Sequence, residues 1–147
     1  MSYVGWALVG MVGYSFTALL VKLAMRDGRF SSFFVLAVSA SFVVATAMIV
    51  VLIRGDLSRL SARDLLSPSA GFVYASGIAL SVAVTSYFRA LAMGPASIVV
   101  PIYGTFIVGG ALLGILFLGE PVSARKLLGI ALAMASIFLL AGSSGGR

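Results

Sequence analysis

The chain has 147 residues, 61% of them hydrophobic, with only 10 Lys+Arg against 4 Asp+Glu and a mean hydropathy of +1.18. An ordinary soluble domain is about 45–50% apolar and about 25% charged, and one of this size buries only about 70% of its unfolded surface. These figures exclude a soluble enzyme and a disordered chain, the lack of Cys excludes a secreted disulfide scaffold, and an integral membrane protein remains.

The charges divide the chain into long uncharged runs at Tyr3–Val21, Phe30–Ile53, Leu65–Phe88, Ala90–Gly119 and Leu127–Gly146. A helix needs about 20 apolar residues to cross the hydrocarbon core. Lipid offers no partner to a bare backbone N–H or C=O, so each run must be helical. A β-barrel would alternate apolar and polar residues over about 10 positions, and runs such as Phe42–Ile53 (FVVATAMIVVLI) do not alternate. The expected fold class is an all-α membrane protein, a bundle of five transmembrane helices in a single domain over residues 1–147.

The first span is expected over Tyr3–Met25. A cleaved signal peptide begins with a positive region, whereas here Lys22, Arg26 and Arg29 follow the apolar run, which predicts a retained helix. Arg26–Ser32 (RDGRFSS) leads to the second span, Phe33–Ile53. The longest connection, Arg54–Ser69, spaces leucines at Leu57, Leu60, Leu65 and Leu66; a short helix lying at the interface and a solvated loop fit it equally well. The third span is expected over Ala70–Ala92 and ends in a tight turn at Met93–Ala96, where Gly94-Pro95 is a strong breaker pair. The fourth covers Ser97–Leu118. Pro121 stops it from continuing, and Ser123 is placed to cap the fifth span, Lys126–Gly142. The tail Ser143–Arg147 is expected to fray.

The net charge of +6 is spread over helix ends, where anionic lipid heads attract cations. It forms no aromatic-interleaved stripe, so nucleic acid is not an expected partner. Five spans put the 2–3 and 4–5 connections on the side of the N-terminus, with Arg54, Arg59, Arg63, Arg125 and Lys126. The opposite side holds Lys22, Arg26, Arg29, Arg89 and Arg147. The Lys/Arg excess that normally fixes orientation is therefore nil, and small even when the two cations inside spans are set aside. Two readings follow: the chain inserts both ways and pairs with an inverted copy of itself, or a weak bias or a partner chain sets its orientation.

There is no His or Cys, and the four carboxylates are scattered, so no metal cluster is expected. No Ser-His-Asp set, phosphate loop or dinucleotide fingerprint occurs, so neither catalysis nor a cofactor is expected. Ionisable residues within spans mark functional sites by default, and two are present, Lys22 and Arg89, both near span ends on one side. Either they snorkel to the interface or they point into a polar cavity and meet an anionic or carboxylate-bearing solute.

Residues four apart share a helix face. The series are Gly10, Tyr14, Ala18, Lys22 in the first span, Gly77, Ser81, Thr85, Arg89 in the third and Ser97, Pro101, Thr105, Gly109 in the fourth. A cavity lining and a helix-packing face fit these stripes equally. Packing is the preferred reading for Gly110 and Gly114 in the fourth span and for Gly129, Ala133 and Ser136 in the fifth. Pro101 removes a backbone hydrogen bond, as in the interrupted helices of transporter substrate sites, although its place near the span's start also suits shaping of an entrance. No span holds a carboxylate, which disfavours lipophilic cations as substrates.

The stretch Tyr87–Gly142 resembles the EamA family of the drug/metabolite transporter superfamily. The resemblance rests on the turn at Ala90–Ser97, Pro101 after it, the LGEP segment at Leu118–Pro121, Gly129 and the closing Ala141-Gly142; Val21–Gly28 (VKLAMRDG) looks like the family's first helix. It implies one half of an inverted-repeat, ten-helix transporter, working by alternating access in the membrane of a prokaryotic cell. A lone half implies an antiparallel homodimer or a paired five-helix chain. Carried to this sequence, the family pattern makes Tyr14, Lys22, Ser81, Thr85, Arg89, Ser97, Pro101 and Thr105 the candidate substrate pathway. The expected function is export or exchange of a small polar metabolite, amino-acid-like or anionic. The rivals are a flippase subunit for a lipid-linked substrate and a non-transporting assembly subunit.

Overall fold

The structure, a computed structural model, describes residues 2–142, with side chains over 2–139. The tail at 143–147 and its expected fraying lie outside the described residues. Among the described residues all regular structure is helical: α1 Tyr3–Met25, α2 Ser32–Arg54, α3 Asp56–Arg59, a 3-10 turn at Asp64–Leu66, α4 Pro68–Met93, α5 Ala96–Tyr103, α6 Phe106–Leu118 and α7 Ala124–Gly142. By length and composition α1, α2, α4 and the Ala96–Leu118 stretch can each cross a membrane. The fifth long helix, α7, has 19 residues and begins with Arg125 and Lys126 in its first turn. The chain divides into two compact units, residues 1–93 and residues 94 onward.

In the first unit the helix starts are set by serine caps. The Ser2 hydroxyl accepts the Gly5 N–H at 3.3 Å, the Ser31 hydroxyl accepts the Phe34 N–H at 3.2 Å, and the Ser67 hydroxyl accepts the Ala70 N–H at 3.3 Å. Pro68 follows Ser67 as the first residue of α4, where its missing N–H costs nothing. The connection from α2 to α4 contains a short helix, as one of the two expected readings had it. It is a single turn of α3, an extended Leu60, then the 3-10 turn, with Asp64 Oδ2 accepting the Ser61 N–H at 2.8 Å. Tyr74 ties the turn to α4 by donating its hydroxyl to the Leu65 carbonyl at 2.9 Å.

The core of this unit is small. It comprises Ala18 and Val21 on α1, Ser32 on α2, and Ala70, Tyr87, Phe88 and Leu91 on α4, with Leu91 0% exposed. Packing is thus concentrated at the end of the unit where α1 and α4 finish and α2 begins. Elsewhere most large apolar side chains face outward, from Trp6 and Phe16 to Phe42 and Ile53, as a lipid-facing surface requires. Several hydroxyls within the helices are satisfied by carbonyls one turn back. Ser15 donates to Met11, Thr17 to Gly13, Ser41 to Ala37 and Thr46 to Phe42, at 2.7–2.9 Å.

In the second unit the expected single fourth span is broken. The interruption lies at Gly104-Thr105, a few residues after Pro101, which itself sits inside α5. Across the break the bonding tightens from i+4 to i+3. The Thr105 N–H donates to Ile102 at 3.1 Å, Ile107 to Gly104 at 3.2 Å and Val108 to Thr105 at 2.9 Å. A Cβ on Gly104 would stand 3.2 Å from the Pro101 carbonyl oxygen and 3.3 Å from that of Val100. Absence of a side chain there lets these carbonyls turn inward. α6 ends at Gly119, which takes the left-handed conformation at φ 64°. Ser123 then caps α7, accepting the Lys126 N–H at 3.2 Å. α7 packs on both α5 and α6.

Candidate functional site

In the first unit a cavity of about 450 Å³ opens where three helix ends meet. The last turn of α1 supplies Lys22 and Met25, and Arg26 follows directly. The amino end of α2 supplies Ser31, Ser32 and Phe33, preceded by Phe30. The last turns of α4 supply Arg89, Leu91 and Ala92. Leu91 is the closed side, while Phe30, at 49% exposure, and Phe33, at 56%, stand at the open rim. Lys22 is half-buried; Arg26 and Arg89 are exposed.

The electrostatics of this place follow from the helix ends. Cations are favoured at the carboxyl ends of α1 and α4, and negative charge is favoured at the amino end of α2. The lining contains three cations and no carboxylate. Among the described residues none of Lys22, Arg26 and Arg89 forms an ion pair.

The sequence-expected site residues separate in the structure. Lys22 and Arg89 come to one cavity. Tyr14, two turns back along α1, is 53% exposed, whereas Ala18 between them is buried against the core. Ser81 is exposed, with its hydroxyl donated to the Gly77 carbonyl at 2.9 Å, and Thr85 is half-buried. In the second unit Ser97 is exposed at the start of α5, Pro101 is half-buried, and Thr105 donates its hydroxyl to Ile102 at 2.8 Å within the helix break.

Three polar lining groups lie outside the sequence stripes, Arg26, Ser31 and Ser32. Arg26 was legible: the series Gly10, Tyr14, Ala18, Lys22 continues to it at the next interval of four. It lies just past the end of the apolar run, in the connection to α2. Ser32 carried no signal, since its place depends on the 26–31 turn folding α2 against α4.

The second unit has its own groove of about 280 Å³ between α6 and α7. Gly129 and Ala133 line it from α7, and Val108 and Ala111 from α6. At its mouth Lys126 donates to Glu120 at 3.3 Å, the side chains being 45% and 51% exposed. Glu120 is folded back because its N–H donates to the Gly114 carbonyl at 3.3 Å. A Cβ on Gly114 would lie 3.4 Å from the Glu120 carboxyl carbon, so this glycine packs against the loop. On Gly110 and Gly129 a Cβ would meet nothing within 4 Å.

A wholly helical fold with outward apolar faces and lipid-length helices defines a polytopic membrane protein. Comparison with known proteins places it further: the EamA-like transporter family matches residues 1–142, and the chain belongs to that family as a membrane transporter. It is similar to a Sinorhizobium sp protein described as an uncharacterized transporter in the cobO 3′ region, with 29% identity over 136 residues, 92% of this chain and 94% of that protein. No solved structure matches the chain.

Proposed function

We propose that the protein exports or exchanges a small polar metabolite, amino-acid-like or anionic, by alternating access between the two sides of the membrane. The observation that carries this reading is the cation-lined cavity at Lys22 and Arg89, open to solvent and free of carboxylates. A lone snorkelling cation needs no cavity beside it. Here two cations from different helices share one, and a third joins them. An anion entering it exchanges water for charge-assisted hydrogen bonds, which are about twice as strong as neutral ones.

The working unit in this proposal is an antiparallel pair of five-helix chains, homodimeric or formed with a second such chain. The balanced distribution of Lys and Arg supports it. So does the length of the Sinorhizobium relative, 94% of which is covered by this one five-span unit. Rocking of one copy against the other around a shared site would expose the cavity alternately. The broken α5–α6 helix supplies a place for that movement, since its i+3 bonds hold less firmly than a continuous α-helix.

The test is flux into liposomes containing the purified chain alone. Uptake of a carboxylate or phosphate metabolite is expected, with reporter activity from C-terminal fusions on both sides of the membrane. Activity on one side only would remove dual insertion and leave a paired chain. Absence of flux together with stable binding to another membrane protein would point to an assembly subunit instead.

A further inference from the structure

We infer that the cavity at the α1, α2 and α4 ends recognises a phosphoryl group, the head of a phosphate monoester. The inference deepens the transport reading by naming the substrate class for the same site.

The charge balance selects among anions. Lys22, Arg26 and Arg89 converge on the cavity without a carboxylate in its lining. One carboxylate needs one such cation. A phosphate monoester carries about −1.5 to −2 charges at pH 7 and presents three strong acceptor oxygens. Three cations more than balance that charge, where a single carboxylate would leave two of them uncompensated, and the arginine forks suit the phosphoryl geometry.

A second observation comes from α2. Ser32 is only 5% exposed, lines the cavity, and forms no side-chain hydrogen bond among the described residues. Among the described residues no buried side-chain oxygen is left without a partner, so this hydroxyl keeps an accessible face, and Ser32 is one of the residues lining the cavity. It sits in the first turn of a 23-residue helix, where the Ser32 and Phe33 N–H groups precede the first intrahelical bonds. Ser31 caps only the Phe34 N–H. The hydroxyl, the free amides and the helix dipole all favour an oxyanion at the same point.

The apolar rim indicates what the phosphoryl group is attached to. Met25, Phe30 and Phe33 border the cations, and Phe30 and Phe33 are about half exposed, so an organic remainder has surface to cover. Because the cavity lies at helix ends, the phosphoryl group can arrive on a water-soluble ester or on a lipid headgroup. The chemistry is shared, and binding experiments separate the sources.

The full chain, in nanodiscs of phosphatidylcholine, is titrated calorimetrically with sn-glycerol 3-phosphate. A second preparation, in phosphatidylcholine doped with dioleoylphosphatidate or with phosphatidylglycerol, is examined for retained lipid by native mass spectrometry. Saturable glycerol phosphate binding, weakened about tenfold or more by Arg26→Gln, identifies a soluble ester. Arg26→Lys is expected to retain part of the affinity, Ser32→Ala to weaken it several-fold, and Arg59→Gln to leave it unchanged. Selective retention of phosphatidate over phosphatidylglycerol, lost in Arg26→Gln and without glycerol phosphate binding, identifies a lipid head. Binding in neither arm, binding unaffected by Arg26→Gln, or equal retention of the two anionic lipids would overturn the inference. These readouts need no flux. A protein that moves a carboxylate but binds no phosphoryl group keeps the transport reading and loses this one.

Discussion

Residues 1–93 and residues 94–142 are both built from apolar helices but treat their charges differently. In the first unit Lys22, Arg26 and Arg89 surround an open cavity with no anion among its lining residues. In the second, Lys126 is already matched by Glu120 at 3.3 Å, over a groove lined mainly by small and aliphatic residues. The packing differs in the same sense. Tyr87, Phe88 and Leu91 form a compact buried cluster beneath the cations, whereas the buried residues of α6 are Val108 and Gly114. A cluster of like charges must be held by rigid surroundings if it is to wait for a ligand, and the first unit provides them. The second unit pairs Lys126 with Glu120, leaves Arg125 as the one further cation among the described residues on its groove, and keeps a helix break, which suits movement and assembly more than anion capture.

Leu91→Ala should break this contrast most severely. It removes a side chain with 0% exposure from the support beneath the cations. A loss of about 2–5 kcal/mol is expected, read as a lowered thermal transition of the detergent-solubilised protein and accompanied by loss of anion binding. Next comes the double change Lys22→Gln with Arg89→Gln. Transport should fall at least about tenfold, the loss of one charged hydrogen bond or more, while membrane insertion and dimer formation persist on cross-linking. Unchanged transport would return both residues to a snorkelling role.

Smaller effects are expected in the second unit. Gly119→Ala forces a Cβ into the left-handed conformation at φ 64°, costing about 1–2 kcal/mol, and should lower the thermal transition without changing substrate affinity. Lys126→Gln should matter least. The pair it breaks is about half exposed, and such pairs contribute about 0–1 kcal/mol. A large loss of anion binding in Lys126→Gln would erase the distinction between the units.

The helices were legible where local chemistry sets them. α1 spans the expected residues, Ser123 caps α7, and Gly94-Pro95 separates α4 from α5. The helix break was visible only in part. Pro101 drew attention, but α5 continues past it because only the bond to the carbonyl one turn back is lost. The interruption falls instead at Gly104-Thr105, where a residue without Cβ permits the tighter turn. The Arg54–Ser69 connection resisted reading because its leucine spacing hid the local Ser61–Asp64 and Ser67 bonds that divide it. Of the pathway residues, Lys22 and Arg89 reach one cavity, since both lie at helix ends that pack together. Ser81 lies farther along the same α4 stripe with its hydroxyl bonded to its own helix, a choice that spacing alone does not disclose.

In the proposed function the substrate passes through the Lys22–Arg89 cavity. The most direct measurement compares solute flux into proteoliposomes of the wild-type chain and of the Lys22→Gln/Arg89→Gln variant, at matched insertion, across a panel of carboxylate and phosphate metabolites. Flux in the wild type, reduced at least about tenfold in the variant, is the predicted result. Equal flux in both, or none from the wild-type chain with any anion, would contradict it.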